Sequence, residues 1–144
     1  MSTSGPTDAT GTYDAYTGFD LRYRYHDTSS AEGCSTGPVI IELHLTHTLP
    51  EWNPPAGSSP DVIARWNHFT ARLGVHEAGH SDIAVRAANE LSWSFEMLPP
   101  LPTCADVRAA AHELFVRVVD RSKERHRRYD RRTRHGATQG SVFR

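Results

Sequence analysis

The sequence predicts a small α+β domain: a small antiparallel sheet of N-terminal strands packed on two long C-terminal helices. Two observations carry this. Apolar residues recur at every second position in two segments of the first third of the chain, the period of a half-buried strand. They recur at every third or fourth position in two later segments, the period of an amphipathic helix. A chain of 144 residues is long enough for one core and too short for two.

Residues 1–17, rich in Thr, Ser, Gly and Asp, read as a flexible lead-in, and residues 18–144 as the single domain. Phe19, Leu21, Tyr23 and Tyr25 alternate with Asp20, Arg22, Arg24 and His26, which gives the first strand. After a turn-rich loop, a second strand runs from about Val39 to Leu49 with Val39, Ile41, Leu43 and Leu45 on one face. His47 falls in the same phase, so this strand is expected to turn a histidine towards the core. Pro50 and Pro54-Pro55 end it. Ser59 as N-cap, Pro60 at the first helical position and Asp61 in the first turn then open a helix. Its inward stripe is Val62, Trp66, Phe69, Leu73, His76, His80, Ile83, Ala87 and Leu91, and it stops before Pro99-Pro100. Thr103 and Asp106 form a capping box for a last helix, which presents Val107, Ala111, Leu114, Phe115 and Val118 before turning basic and ending near Gly136.

Charge is unevenly distributed. Residues 1–120 carry seven basic and fifteen acidic side chains, whereas residues 121–144 carry nine basic and two acidic. A basic stretch can serve nucleic acid or a membrane surface. The run from Arg121 to Arg134, however, holds one aromatic residue, Tyr129, and no recognition motif, so it reads as a solvated helix face and nucleic-acid binding is not expected. No apolar run is long enough to span a bilayer. The start Met1-Ser-Thr-Ser-Gly-Pro has no basic residues followed by an apolar stretch, so no signal peptide is read there. Cys34 and Cys104 have no metal-type neighbours; a disulfide and two buried thiols are equally compatible with their spacing.

Both interruptions of the apolar stripe are histidine. His76 and His80, four apart, project from one helix face and can reach one metal ion, while Glu77 beside them is placed to work on water. Zinc lowers the pKa of a bound water towards neutrality, and a carboxylate can then take its proton. The bland alternative is a pair of core histidines satisfied by hydrogen bonds. A catalytic zinc keeps three protein ligands and one open position, so a third ligand is required. Glu90 lies ten residues past His80, about 15 Å along an unbroken helix, and is excluded on that geometry. His112, His47, Asp130 and His135 remain.

Three stretches resemble a known family. They are Leu49-Pro50-Glu51-Trp52, the segment from Trp66 through His76-Glu77-Ala78-Gly79-His80 to Ile83-Ala84, and Tyr129-Asp130-Arg131-Arg132-Thr133-Arg134-His135-Gly136, with the similarity continuing into Gln139-Gly140. Together they are similar to a bacterial family of secreted zinc-dependent proteases catalogued as domain of unknown function 922, over most of the chain from about residue 12. The last stretch shows no helical or packing reason to exist, and Arg134 stands where an acidic or small residue is expected. The resemblance implies a zincin-like minimal metalloprotease core, a Zn2+ cofactor, a secreted or periplasmic location, and Cys34 paired with Cys104. It points to His135 as the third ligand, with Asp130 next. Tyr129 becomes a candidate to stabilise an oxyanion, against ordinary packing at the helix end. The expectation is therefore a zinc hydrolase, a metallopeptidase acting on a peptide or protein, in which Glu77 activates water. The alternatives are a non-catalytic zinc-binding or partner-binding module with the same histidines, and a small-molecule hydrolase or amidase.

Overall fold

The structure is a computed structural model that describes residues 15–143 together with the backbone of Thr7–Asp8 and Gly11–Thr12. Those two short strands, β1 and β2, pair antiparallel. The flexible lead-in expected over residues 1–17 falls in part on residues 1–6, 9–10 and 13–14, which lie outside the described residues. At its end, Ala15 is buried and the first long strand already begins at Tyr16.

That strand, β3 (Tyr16–Tyr25), pairs with β6 (Val39–Thr48). Gly18 lies beside Thr46, and Arg24 forms an ion pair with Glu42 at 3.2 Å, so the two strands run antiparallel. Between them, β4 (Thr28–Ser30) and β5 (Gly33–Ser35) form an antiparallel hairpin. Cys34 exchanges two backbone hydrogen bonds of 2.8 Å with Leu101 and forms a disulfide with Cys104, across 5.1 Å between Cα atoms. Gly33 is needed at this crossing: its φ is +122°, and a Cβ there would run into the Leu101 carbonyl.

Helix α1 (Pro60–Glu96) is one unbroken element of 37 residues. Ser59 caps it as expected, its Oγ accepting from the Val62 amide at 3.3 Å. Helix α2 (Cys104–Thr133) opens on the expected capping box: the Asp106 amide donates to Thr103 Oγ1 and the Thr103 amide to the Asp106 carboxylate, both at 3.1 Å. A 3-10 turn over Ala137–Gln139 follows. The chain is thus an α+β protein of small antiparallel sheets and two long C-terminal helices.

The described residues fall into two compact units. One takes Phe19–His44 and Ile83–Arg125. Its core is Leu21, Ala87, Leu91, Phe95, Ala111 and Val118, with Tyr23, Tyr25, Val39, Ile41 and Leu43 packed against it. Here the period-two phase of both strands is obeyed. The other unit takes the described residues of Met1–Gly18, Leu45–Asp82 and His126–Arg144. Its core is Ala15, Phe69 and Leu73 with Trp66, extended by ring contacts among Trp52, Trp66, Phe69 and Phe143 at 5.7 to 6.0 Å. Strand β6 adds no buried side chain to this second core, which is why Leu45 and His47 are exposed although they continue the inward phase of Val39, Ile41 and Leu43. The expectation that His47 points into a core is therefore corrected: its Nε2 lies 2.6 Å from Ser81 Oγ at the surface.

Candidate metal centre

The stripe read along α1 is the inner face of that helix. Phe69, Leu73, His76, His80, Ala87 and Leu91 are all buried, as is Glu77, at 3% exposure. Helix α1 does not break, and Glu90 is paired with Arg121 at 2.5 Å and Arg125 at 2.8 Å.

Helix α2 has its own inner face. Val107, Ala111, Val118 and Ser122 are buried, then His126, Tyr129 and Asp130 half-buried, then Thr133 buried. The steps of three and four persist after the residue types turn polar. Asp130 Oδ1 lies 3.1 Å from His76 Nε2 and 2.9 Å from His80 Nε2. These three donor atoms sit within 4.8 Å of one another. Donors held tetrahedrally at zinc bond lengths stand about 3.3 Å apart, close to the two distances from Asp130. Two imidazole nitrogens and one carboxylate oxygen form the N/O set of a three-ligand zinc site. The residues present therefore fit the group.

His135 is not one of the three. Its Nδ1 lies 3.7 Å from the same Asp130 oxygen, and its side chain is 57% exposed. The cause is local. Helix α2 runs on to Thr133, which turns Asp130 inward, and Arg134 and His135 then adopt left-handed backbone angles of +51° and +53° as the chain leaves the helix. His112 is exposed on α2 and is not grouped with the trio. The Tyr-Asp-x-x-Thr-x-His-Gly segment does have a helical reason: its Tyr, Asp and Thr share one face of α2.

Both histidines are held from behind. His76 Nδ1 donates to Gln139 Oε1 at 2.9 Å, Gln139 Nε2 donates to Tyr129 Oη at 3.0 Å, and Tyr129 Oη donates to the His76 carbonyl at 3.1 Å. The Tyr129 ring stacks on His76 and meets His80 edge-on, with centroids 4.9 Å apart in both cases. Gly79 makes room for it, since a Cβ there would collide with the phenol. Gly136, at φ +88°, brings the chain back beside His76 and so places Gln139. His80 Nδ1 lies 2.8 Å from His126 Nδ1. The Glu77 carboxylate accepts from Thr17 Oγ1 at 2.5 Å.

The charges respond to this packing. Burial and the His76 and His80 hydrogen bonds act oppositely on Asp130, and the bonds prevail, holding its carboxyl well below the usual range. Burial opposes charge on His76, but the bonds to Asp130 and Gln139 and the neighbouring Glu77 and Asp130 charges together raise its pKa. Burial, with His80 beside it, pushes His126 down to about 4.

His126, Thr17 and Thr133 were not among the residues picked out as functional from the sequence. Extending the helical phase of α2 through its basic stretch finds His126 and Thr133; Thr17, whose partner is 60 residues away, has no local signal. A comparison with known protein families matches residues 1–136 to one described as "Bacterial protein of unknown function (DUF922)". No curated protein and no solved structure matches the chain. With 136 of its 144 residues matched, the chain belongs to the bacterial DUF922 family of proteins of unknown function.

Proposed function

We propose that this protein is a zinc-dependent hydrolase, a metallopeptidase, with His76, His80 and Asp130 holding the ion and Glu77 as the base. The observation that carries the reading is the convergence of His76 Nε2, His80 Nε2 and Asp130 Oδ1 from two different helices onto one point. Zinc bound there supplies Lewis acidity towards water and a substrate carbonyl. The chain's own residues do the rest. Gln139 fixes the His76 ring through Nδ1, leaving Nε2 directed at the site. Glu77, adjacent to His76 on α1 and buried, offers a carboxylate to accept the proton that water loses and to return it to the leaving amine. Tyr129 has its hydroxyl committed to the His76 carbonyl and Gln139, so its role is to lock the ligand ring rather than to meet an oxyanion. The Cys34–Cys104 disulfide fits an oxidising compartment, and we place the protein outside the cytoplasm, secreted or periplasmic. No described helix is long and apolar enough to cross a membrane.

A second reading, a non-catalytic zinc-binding module, is favoured by one observation: the Glu77 carboxylate is already engaged by Thr17. Two measurements decide. Elemental analysis should find one zinc per chain in the wild type and in His135→Ala, and none in His80→Ala or Asp130→Ala; no zinc in the wild type sinks both readings. Glu77→Gln should keep the zinc and lose hydrolysis of a denatured-protein substrate, and undiminished hydrolysis in that variant removes the catalytic assignment.

A further inference from the structure

Thr17 meets the proposed base from outside its helix. It is the second residue of β3, and Glu77 lies in the middle of α1, 60 residues further along the chain. The Thr17 hydroxyl donates to Glu77 Oε2 at 2.5 Å and lies 3.4 Å from the Glu77 carbonyl oxygen. A hydroxyl has one proton to give, and the shorter contact identifies the carboxylate as its acceptor.

A carboxylate has two oxygens, and Thr17 occupies only Oε2. No donor among the described residues reaches Oε1. The last torsion of a glutamate side chain is broad, so a carboxylate without a fixed partner turns easily about its final bond. One short bond at Oε2 sets that torsion and with it the direction of Oε1. The donor itself is well held. Ala15, two residues before it, is buried in one cluster with Phe69 and Leu73, which lie two turns and one turn before Glu77 on α1. Gly18, the residue after it, sits beside Thr46 of β6. Threonine is branched at Cβ and stiff at χ1, so its hydroxyl follows the strand backbone. A fixed donor on a strand thus meets the end of a long, flexible side chain.

Resting on the zinc-hydrolase reading above, we propose that Thr17 is a positioning residue, whose hydroxyl orients the Glu77 carboxylate so that Oε1 is presented to the water on which the base acts. The contact that engages Glu77 is then part of its catalytic arrangement: it takes one oxygen and aims the other. Thr17 touches neither ion nor substrate in this role, and its hydroxyl keeps its proton throughout.

The test uses the full chain with one equivalent of zinc and fluorescein-labelled casein as substrate, and the same chains without metal. Thr17→Val keeps the branched shape and removes the hydroxyl. It should bind zinc as the wild type does, since Thr17 bonds to none of the three ligands. Its kcat should fall about 10- to 100-fold, with KM within about threefold of wild type, as befits a displaced base. Thr17→Ser restores the donor and should return kcat to within about threefold of wild type. Crystal structures of the metal-free chains give a readout apart from turnover: Glu77 should hold one side-chain conformation in the wild type and Thr17→Ser, and several in Thr17→Val. Wild-type kcat in Thr17→Val overturns the proposal, even if stability drops, because the bond then only satisfies a buried carboxylate. So does an unmoved Glu77 in that variant, or a Thr17→Ser chain as slow as Thr17→Val, which would mark a packing role. The hydrolase reading fails separately, and this role with it, if the wild type takes up no zinc, if the loaded wild type leaves casein intact, or if Glu77→Gln hydrolyses it undiminished.

Discussion

Gly79 shows how a single residue within the histidine motif is constrained by a partner 50 positions away. It sits in mid-helix, where alanine would ordinarily be favoured by about 1 kcal/mol. Here the space its Cβ would fill is occupied by the Tyr129 phenol, which is pinned by His76 and Gln139. Overpacking of a ring that cannot move costs about 1–3 kcal/mol and outweighs the helix propensity. Gly79→Ala should therefore destabilise the protein to urea. In a Tyr129→Ala background the same substitution should instead stabilise it by about 1 kcal/mol, and an unchanged sign would mean that the phenol is not the obstacle. His126 yields a second residue-scale prediction. Its folded pKa of about 4 lies below its ordinary value near 6.5, so between those limits the unfolded chain binds a proton that the folded chain refuses. Stability of the zinc-free protein should fall as pH drops through that window. His76, with a raised pKa, contributes stability that is lost only as pH rises above about 6.5, and Asp130, with a lowered one, contributes stability that is lost only as pH falls below about 4. Of these three groups, only His126 acts in the middle window. His126→Asn should flatten the slope of denaturation midpoint against pH between 4 and 6.5, and an equally steep slope would place the titration elsewhere.

At the scale of elements, strands and helices differ in how far their sequence patterns carry. Both helix starts were legible, because capping is a matter of three or four adjacent residues, and Ser59, Thr103 and Asp106 make the expected bonds. The α1 stripe was legible through both histidines, since a long helix keeps its phase. Strand β6 misled beyond Leu43: alternation says which residues share a face, not whether anything lies against that face. Helix α2 hides its polar inner residues because its inner face turns from apolar to polar while keeping the same phase. Continued at the same steps through the arginines, it passes Ser122, His126, Tyr129, Asp130 and Thr133, the face that meets the α1 histidines. The same continuation separates the two candidates for third ligand, since His135 lies past the end of the helix and Asp130 on it. The element ends also set what the caps are worth. Thr103→Ala removes the oxygen that accepts from the Asp106 amide and should cost about 1 kcal/mol in urea denaturation, whereas Glu90→Gln, which loosens only pairs with half-exposed arginines, should cost less.

For the whole molecule, two cross-links between distant parts of the chain lie in different places. The disulfide joins Cys34 to the first residue of α2, closing a loop of 70 residues. The proposed zinc joins α1 to Asp130, 26 residues further along the sequence of α2. They also act on different states. The disulfide restricts the unfolded chain and, for a loop of this length, should contribute about 4 kcal/mol. Zinc binds the folded chain and should contribute about 4 kcal/mol when present at a thousand times its dissociation constant. Sites that share no partner are additive to within about 0.5 kcal/mol. Urea unfolding of the wild type and of a Cys34→Ser, Cys104→Ser variant, each with zinc and with chelator, gives four free energies that test this. The zinc increment should be the same in both chains. An increment that shrinks by more than about 1 kcal/mol without the disulfide would show that the second cross-link helps to preform the site.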